Sequence, residues 1–554
     1  MVDRIIPQEH QPPLPRDRLL VTEPPGDEAV PMDVVFVGAG PAGLAGAIHL
    51  ARLVAEDNER GDGIGDLEIA VLEKAGRLGE HNLSGAVINP GPFRELFPDL
   101  PDEEFPFRGP VEHERVYVLR QGGATRIPVP PPMRNHGNRI ASICEVVRWL
   151  GEKAESAGIN LFTGFPADSL LVDGNRVIGV RTTPTGLDRE RQPGNGYMPP
   201  TDVLAKVTAL SEGTRGLLTQ AYLEWQGVGS ANPQIFALGV KEVWETKRRL
   251  DAVVHTLGWP LPRDAFGGSF MYPLEPNLLA LGLVMGLDYH DSRLDPHMLF
   301  QRMKTHPLFR DYLEGGEMVE WGAKTIPEGG YHALPERRSG DGLVILGDAA
   351  GYVDVPSLKG IHYAVQSGIF AARAIFRALK QDDVSAAILA EYDRLVDGSF
   401  IVRDLQRTRN MRLAFTSGFY RGGVKATLMT LTGGRFPGRR IEMPRDAAIA
   451  KYTGGAEPAL TPDGELTFSK VDAVFKSGNQ TRDDIPNHLI ASEDVSPEVA
   501  ELYGRMCPAG VYEQDEHGRL VINAPNCIDC KATDVLGPRW TPREGGSGPA
   551  YRRM

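Results

Sequence analysis

The apolar run Val34-Val35-Phe36-Val37 leads straight into Gly38-Ala39-Gly40-Pro41-Ala42-Gly43, and a helical pattern follows through residues 44–50. Strand, G-x-G-x-x-G and helix in that order form the first turn of a dinucleotide-binding βαβ unit. The three glycines have separate duties there: Gly38 makes the tight turn, Gly40 lets the backbone approach a pyrophosphate, and Gly43 lets helix and strand pack closely. The helix N-terminus then presents its unpaired N–H groups to the phosphates. Ile69-Ala70-Val71-Leu72-Glu73 supplies the second strand and ends in an acid that can accept a hydrogen bond from an adenosine ribose hydroxyl. A carboxylate at this place disfavours a 2′-phosphate, so the expected ligand is FAD or NAD and not NADP. Glu73 follows Gly43 by 30 residues, more than the usual spacing, and the polar, Gly-rich stretch 57–66 is read as an inserted loop.

A second signal chooses between the two cofactors. Gly342-Leu343-Val344-Ile345-Leu346-Gly347-Asp348-Ala349-Ala350-Gly351 ends a strand in Gly-Asp. So far downstream of a first fingerprint, this pattern resembles the second FAD motif of the hydroxylase and reductase flavoproteins, whose Asp holds a ribityl hydroxyl, and FAD is favoured. Asp348 could equally N-cap the next helix, which would place a helix dipole near the isoalloxazine. Between the motifs, 140–158 has a helical period, 170–180 reads as a hairpin turning at Asp173-Gly174-Asn175, and 205–210, 234–244 and 278–285 suit strands. The stretch 184–200, rich in Gly, Pro and Arg without an apolar period, is read as a surface loop. The expected fold class is α/β (α+β overall): a Rossmann-like FAD domain with an inserted β-rich domain, ordered from Asp33 onward, and a separate small C-terminal domain after Pro437.

Charge excludes one partner class. With 60 basic and 73 acidic side chains among 554 residues the net charge is −13, which repels phosphate backbones, so no nucleic acid is expected as partner. No apolar run reaches the length of a membrane-spanning helix, which leaves attachment to a membrane surface open. The first thirty residues are proline-rich and have neither a hydrophobic h-region nor an Arg/Ser-rich amphipathic helix, so no secretory signal or transit peptide is expected. Four cysteines cannot staple an extracellular scaffold, and a reducing compartment fits. Cys144, alone in a helical run, is read as a small buried apolar residue. Cys507, Cys527 and Cys530 cluster near the end of the chain.

Cys507-Pro508-Ala509-Gly510-Val511-Tyr512, Asn526-Cys527-Ile528-Asp529-Cys530-Lys531 and Glu544-Gly545-Gly546-Ser547-Gly548-Pro549-Ala550-Tyr551 resemble the iron–sulfur domain of the electron transfer flavoprotein–ubiquinone oxidoreductase family. The resemblance extends upstream through Leu83-Ser84-Gly85-Ala86, Asn135-His136-Gly137-Asn138, Gly258-Trp259-Pro260-Leu261, Gly267-Gly268-Ser269-Phe270 and Lys359-Gly360-Ile361-His362. It implies a monotopic membrane flavoenzyme that takes electrons from electron transfer flavoprotein and delivers them to ubiquinone, with FAD and an iron–sulfur cluster as cofactors. No nucleophile or general-acid triad is expected, because the chemistry belongs to the cofactors. The resemblance places FAD at Gly38, Gly40, Gly43, Glu73, Ser84, Gly85, Gly347, Asp348 and Gly360, ubiquinone at Gly267 and Gly268, and the cluster at Cys507, Cys527 and Cys530. The implied division is 33–110, 136–235 and 338–410 for FAD, 111–135 and 236–337 for ubiquinone and membrane contact helped by 411–436, and 441–554 for the cluster. In a bacterium such a protein would face the cytoplasm.

Membrane contact also has a physical reading. Leu413, Phe415, Phe419, Tyr420, Val424, Leu428, Met429 and Leu431 give residues 411–431 an apolar surface, with Arg421, Lys425, Arg435, Arg439 and Arg440 as a basic edge for anionic head groups. Two departures stand out. Where the family has a further cysteine, this chain has Thr533, so three thiolates remain and the fourth iron of a [4Fe–4S] cluster faces Thr533, Asp534 or water; a labile cluster passing to [3Fe–4S] is expected. Zinc is the rival, but no histidine lies near enough in sequence to complete its ligand set. Near the flavin, Asp354 and Ile361 stand where the family implies Asn and Thr, which would remove a hydrogen bond and add a carboxylate. The alternative functions are a geranylgeranyl-reductase-like FAD enzyme and an electron-transfer docking protein that has lost its cluster.

Overall fold

The computed structural model describes residues 4–61, 63–85, 87–453 and 460–554; Asp62 of the expected loop and Ala86 of the resembling run lie outside them. Val34, Val35 and Phe36 leave no polar face, which suits a strand covered on both sides, and all three are fully buried in strand β1 (Val30–Val37). Parallel neighbours flank β1: strand β2 (Ile69–Glu73) in register Val34↔Ile69, and Asp202–Leu210 in register Val34↔Val207. Asn160–Thr163 continues the sheet beyond β2, Leu343–Ile345 pairs with 208–210, and the hairpin Ala167–Asp173 and Arg176–Thr182 extends it antiparallel. The sheet is therefore α/β with an antiparallel edge.

Helix α1 (Pro41–Glu59) follows the glycine turn. It carries 57–59 as well, so the long interval before Glu73 is mostly helix, and only the part beyond Glu59 is irregular. Gly61, at φ 97°, is the first residue that suits a break. Helix α2 (Ile361–Lys380) crosses α1 so closely that a Cβ on Gly368 would stand 2.3 Å from Ala42 O. Helix α3 (Phe419–Leu431) lies further on, after the short turn Leu413–Ser417.

A second sheet has seven strands in the order Glu317–Pro327, Phe236–Glu245, Leu278–Gly286, Gly267–Glu275, Val253–Gly258, Glu114–Arg120, Gly123–Ile127. It draws on two separated stretches of chain, so the backbone leaves the first sheet twice and returns twice. The stretch 184–200 is not merely a loop: Thr185–Leu187 and Pro193–Met198 pair antiparallel. Every residue of Pro193–Met198 is exposed, and a ribbon without a buried face has no apolar period to read.

Order also begins well before Asp33. Arg4–Ile5 pairs with Lys451–Tyr452, and Leu20–Val21 joins the first sheet beside 170–171. Between them Gln11 Nε2 donates to Asp534 O (2.8 Å) and Arg539 Nε donates to Pro12 O (2.8 Å). The proline-rich stretch before Asp33, expected to precede the ordered fold, thus forms an extended strap against the C-terminal region. That region is not set apart either: Gly546 N donates to Lys74 O (2.9 Å) and Thr325 N to Cys530 O (3.0 Å), which ties it to both sheets.

Glu242 and Lys304 form a fully buried ion pair under the second sheet, with Lys304 Nζ 2.8 Å from Glu242 Oε2. Gln301 Nε2 (3.0 Å) and Trp244 Nε1 (2.6 Å) donate to the same carboxylate. Removing one partner strands a buried charge, so Lys304→Met should cost about 3–5 kcal/mol of stability. Glu242→Gln in the same chain should recover most of it, as read by denaturant unfolding of the holoprotein.

Candidate functional site

One continuous cavity of about 1130 Å³ runs from the glycine turn between the two sheets to α3. Its first end lies at the carboxyl ends of β1, β2 and Asp202–Leu210, where ligands of open parallel sheets bind. Gly38, Gly40 and Glu73 line it. Gly38 has φ 106°, and a Cβ there would meet Ser211 O at 2.5 Å; a Cβ on Gly43 would meet Gly38 O at 2.2 Å. A Cβ on Gly40 would meet only Asn82 Nδ2, at 3.9 Å, because it points into the cavity. The Glu73 carboxylate accepts from Ala39 N (3.0 Å) and Ala75 N (2.9 Å), which fixes its orientation while lone pairs remain for a ribose.

Ser84, Gly85, Asp348 and Gly360 line the middle of the cavity. Lys241 Nζ donates to Ser84 O (2.9 Å), and burial lowers the Lys241 ammonium to about 8. Gly347 takes φ 58° and its N–H donates to Ser367 Oγ (3.0 Å). Asp348 caps no helix: the turn Gly347–Ala350 has no side-chain cap, and α2 starts from Gly360 instead. Burial raises the Asp348 carboxyl to about 6. Asp354 does not add a carboxylate to this wall, which Val353, Val355 and Pro356 form; its side chain accepts from Thr408 Oγ1 (3.4 Å). Ile361 does line the cavity and offers no hydrogen bond. An open Gly40 face, a carboxylate beside β2 and the N-terminus of α2 fit FAD.

Gly267 and Gly268 line the cavity further along, but their lack of a side chain has a cause within the sheet. A Cβ on Gly267 would meet Val284 O at 2.0 Å and one on Gly268 would meet Thr256 O at 2.5 Å. Beside them Arg412 is buried over the Phe266 ring (4.0 Å to its centroid) and pairs with Glu328 (2.6 Å) and Asp288 (2.8 Å). Burial outweighs Arg412 and raises the Glu328 carboxyl. His255 Nε2 and Tyr272 OH, 2.6 Å apart, face the same space.

The cavity ends at Phe415, Phe419, Gly423, Thr427, Thr430 and Leu431. Another side of α3 carries Tyr420, Val424 and Leu428, with Leu431 at the rim between it and the cavity; they are exposed by 65%, 64%, 41% and 77%. Leu413 and Met429, read as part of the apolar surface, are buried instead. Arg421, Arg435, Arg439 and Arg440 are exposed, whereas Lys425 is turned to Ser417 Oγ (3.1 Å).

A second, small cavity is lined by Cys507, Cys527, Cys530 and Thr533. All three thiols are buried and outside any disulfide, Cys527 Sγ donating to Asp529 Oδ1 (3.7 Å), and burial pushes each above its ordinary pKa, so a metal must displace their protons. The set fits an iron–sulfur cluster on three corners. Asp534 does not face this cavity: it is bound to Arg215 Nε (2.8 Å) and accepts from Trp540 N (3.2 Å). His488, distant in sequence, does come close, with its donor nitrogen within 4.8 Å of both Cys527 Sγ and a carboxylate oxygen of Asp529. The absence of a nearby histidine therefore does not by itself exclude zinc. Asp529 is already committed, to Trp540 Nε1 (2.9 Å), Arg543 (3.0 Å) and Lys74. Burial alone would raise the Asp529 carboxyl, but these cations hold it well below the usual range.

Lys531 and Trp540 line both cavities. Sequence patterns pass over them, as they do Lys241, Glu328, Arg412 and the 211–214 loop. For the loop a signal existed, since it follows the strand 205–210 at the sheet's binding edge.

Residues 236–326 match the family model described as ETF-QO, ubiquinone-binding, and residues 464–552 the model described as electron transfer flavoprotein-ubiquinone oxidoreductase, 4Fe-4S. The mitochondrial electron transfer flavoprotein-ubiquinone oxidoreductase of Homo sapiens is 36% identical over 565 residues, covering 94% of this chain and 89% of the relative. That of Oryza sativa subsp. japonica is 36% identical over 96% of this chain and 94% of its own. Among solved structures, a geranylgeranyl bacteriochlorophyll reductase-like protein from Thermoplasma acidophilum aligns with TM-score 0.56 at 18% identity, over 74% of this chain and 96% of its own. The myxobacterial chondrochloren halogenase aligns with TM-score 0.52 at 18% identity, over 76% and 95%. These two likenesses concern the fold alone.

The glycines separate ligand from fold. Gly40→Val should give a folded protein, within about 1 kcal/mol of the apoprotein in stability, that neither carries nor regains FAD absorbance. Gly43→Val should fail to fold, because the side chain would enter Gly38 O. Flavin content and circular dichroism of the purified variants check both.

Proposed function

The chain belongs to the electron transfer flavoprotein–ubiquinone oxidoreductase family, and from that membership and the cavity's continuity we propose how its residues serve the reaction. The protein transfers electrons from reduced electron transfer flavoprotein through an iron–sulfur cluster and FAD to ubiquinone. The redox chemistry is supplied by the bound cofactors.

Gly38, Gly40 and Gly43 make the pyrophosphate turn, Glu73 takes the adenosine ribose, and Ser84, Gly85, Gly347, Asp348 and Gly360 hold the ribityl and ring portion of FAD. Cys507, Cys527 and Cys530 hold the cluster. Trp540 and Lys531 form the partition that an electron crosses between the two cavities. Gly267 and Gly268 present backbone to the quinone head group, and Glu328, protonated more readily because of its burial, stands within the cavity wall near the site where a quinol must gain protons. The division of the chain follows these roles: 33–110, 136–235 and 338–410 for FAD, 111–135 and 236–337 for ubiquinone, and 441–554 for the cluster. The observation that carries the reading is that a single cavity joins the phosphate turn to α3, so flavin and a lipid substrate share one space. The reductase-like neighbour resembles the fold over 74% of the chain, whereas the C-terminal match at 464–552 belongs to an electron-transfer domain.

Among the described residues no helix is long and apolar enough to cross a membrane. Membrane association therefore rests on Tyr420, Val424, Leu428 and Leu431 with the exposed arginines beside them, an apolar face that enters the lipid boundary under a basic edge. In a bacterial cell this face would meet the cytoplasmic leaflet.

Anaerobic mixing of the holoprotein with reduced electron transfer flavoprotein and a short-chain ubiquinone should yield quinol, with the flavin bleaching and recovering. No quinol, from protein with full flavin and iron, overturns the assignment. Val424→Asp with Leu431→Asp should lower partition onto anionic vesicles by at least about tenfold, since each buried apolar side chain contributes roughly 1.5–3 kcal/mol. Flavin content should be unchanged, and co-sedimentation measures the loss.

A further inference from the structure

We propose that the cluster of this chain is held by three thiolates only, and that the iron beside Thr533 has no protein ligand and can be removed and replaced. This rests on the cluster reading above and specifies its chemistry. A [4Fe–4S] cluster has four irons, each with a terminal ligand usually supplied by cysteine, while residues 464–552 contain Cys507, Cys527 and Cys530 and no other cysteine. The side-chain oxygens on the cavity wall are the hydroxyls of Thr533 and Tyr512, and Tyr512 OH donates to Thr533 Oγ1 at 3.2 Å. Alcohol oxygen is a poor partner for a soft iron–sulfide site.

The nearby anionic donors are held by cations, although Asp529 Oδ1 also accepts from Cys527 Sγ (3.7 Å). Asp534 is held by Arg215 and by Trp540 N, and Asp529 by Arg543, Lys74 and Trp540 Nε1. Neither lines the cavity. The iron next to Thr533 therefore keeps a solvent ligand. The reaction this permits balances with a one-electron oxidant such as ferricyanide: [4Fe–4S]²⁺ gives [3Fe–4S]⁺ and Fe²⁺, and the released electron reduces ferricyanide. Ferrous iron with a reductant reverses it.

The test uses the detergent-purified holoprotein. On titration with ferricyanide under anaerobic conditions, iron to labile sulfide should fall from about 4:4 to about 3:4. Flavin should be retained, and the EPR signal of an oxidised three-iron cluster should appear. Ferrous iron and dithionite should restore the original ratio. Thr533→Cys should cut the three-iron signal by at least about tenfold, since even an outer-shell partner of a ligand changes metal affinity on that scale. Thr533→Ser, which keeps a hydroxyl, should behave as the parent does. His488→Ala should leave the parent's behaviour unchanged. Four irons retained by the parent as firmly as by Thr533→Cys overturn the proposal. So does a His488→Ala variant that alone becomes labile, because the imidazole would then complete the set. Absence of iron after anaerobic reconstitution refutes the cluster reading itself.

Discussion

The carboxylate of Asp529 is the fastening on which the arrangement of the two cavities depends. It sits between Cys527 and Cys530 and is 1% exposed, and it is gripped by Arg543, Lys74 and the Trp540 indole N–H. A buried charge is tolerated only when its partners are this complete. Lys74 directly follows Glu73, the last residue of β2, so one ion pair joins the cysteine loop to the end of that strand. The same contacts fix Trp540, between the Lys74 and Lys531 ammonium groups at 4.9 and 4.5 Å from its ring centroid. Asp529 and Lys531 adopt φ 54° and 64°, a conformation that costs a non-glycine residue about 1 kcal/mol. The ion pairs hold the loop in that shape, and the shape points the cysteine side chains inward.

Glycines serve the other cavity for two unlike reasons. Gly40 has room for a side chain in the protein alone, so no contact within the chain requires it to be small. Gly38, Gly43, Gly267 and Gly268 would strike backbone carbonyls of their own neighbours. Their smallness is a condition of the fold, and the ligand uses the surface that results. The same economy appears in α3, where one face closes the cavity and another presents Tyr420, Val424 and Leu428 outward, with Leu431 at the rim between them. A substrate with an apolar tail can then pass from a lipid boundary to the cavity without crossing water.

Local patterns carried much of this. The order strand, glycine turn, helix and acid-ended strand depends on residues close in the chain, so β1, α1, β2, the tight turn at Gly38 and the close packing at Gly43 were legible, as was the grouping of the three cysteines. The seven-stranded sheet was legible only in pieces, because its strands come from two distant stretches and no local signal says that they pair. The N-terminal strap was missed for a related reason: proline-rich extended chain has no periodicity, and its contacts, Gln11 to Asp534 and Pro12 to Arg539, lie at the far end of the sequence.

The sequence by itself determined the glycine turn, the acid that ends β2, the number of cysteines and the hydroxyl in place of a fourth, since each is a property of residue type and short spacing. Only the tertiary structure decided where charge is spent. It committed Asp534 and Asp529 to ion pairs, Asp529 while still accepting from Cys527 Sγ (3.7 Å), directed Asp354 to Thr408 instead of the cavity wall, and buried Arg412 with Glu328 beside Gly267 and Gly268. A buried charge must find an opposite charge or a donor within a few ångströms. Which partner is available depends on chain segments hundreds of residues apart, and their meeting is not written in any local stretch.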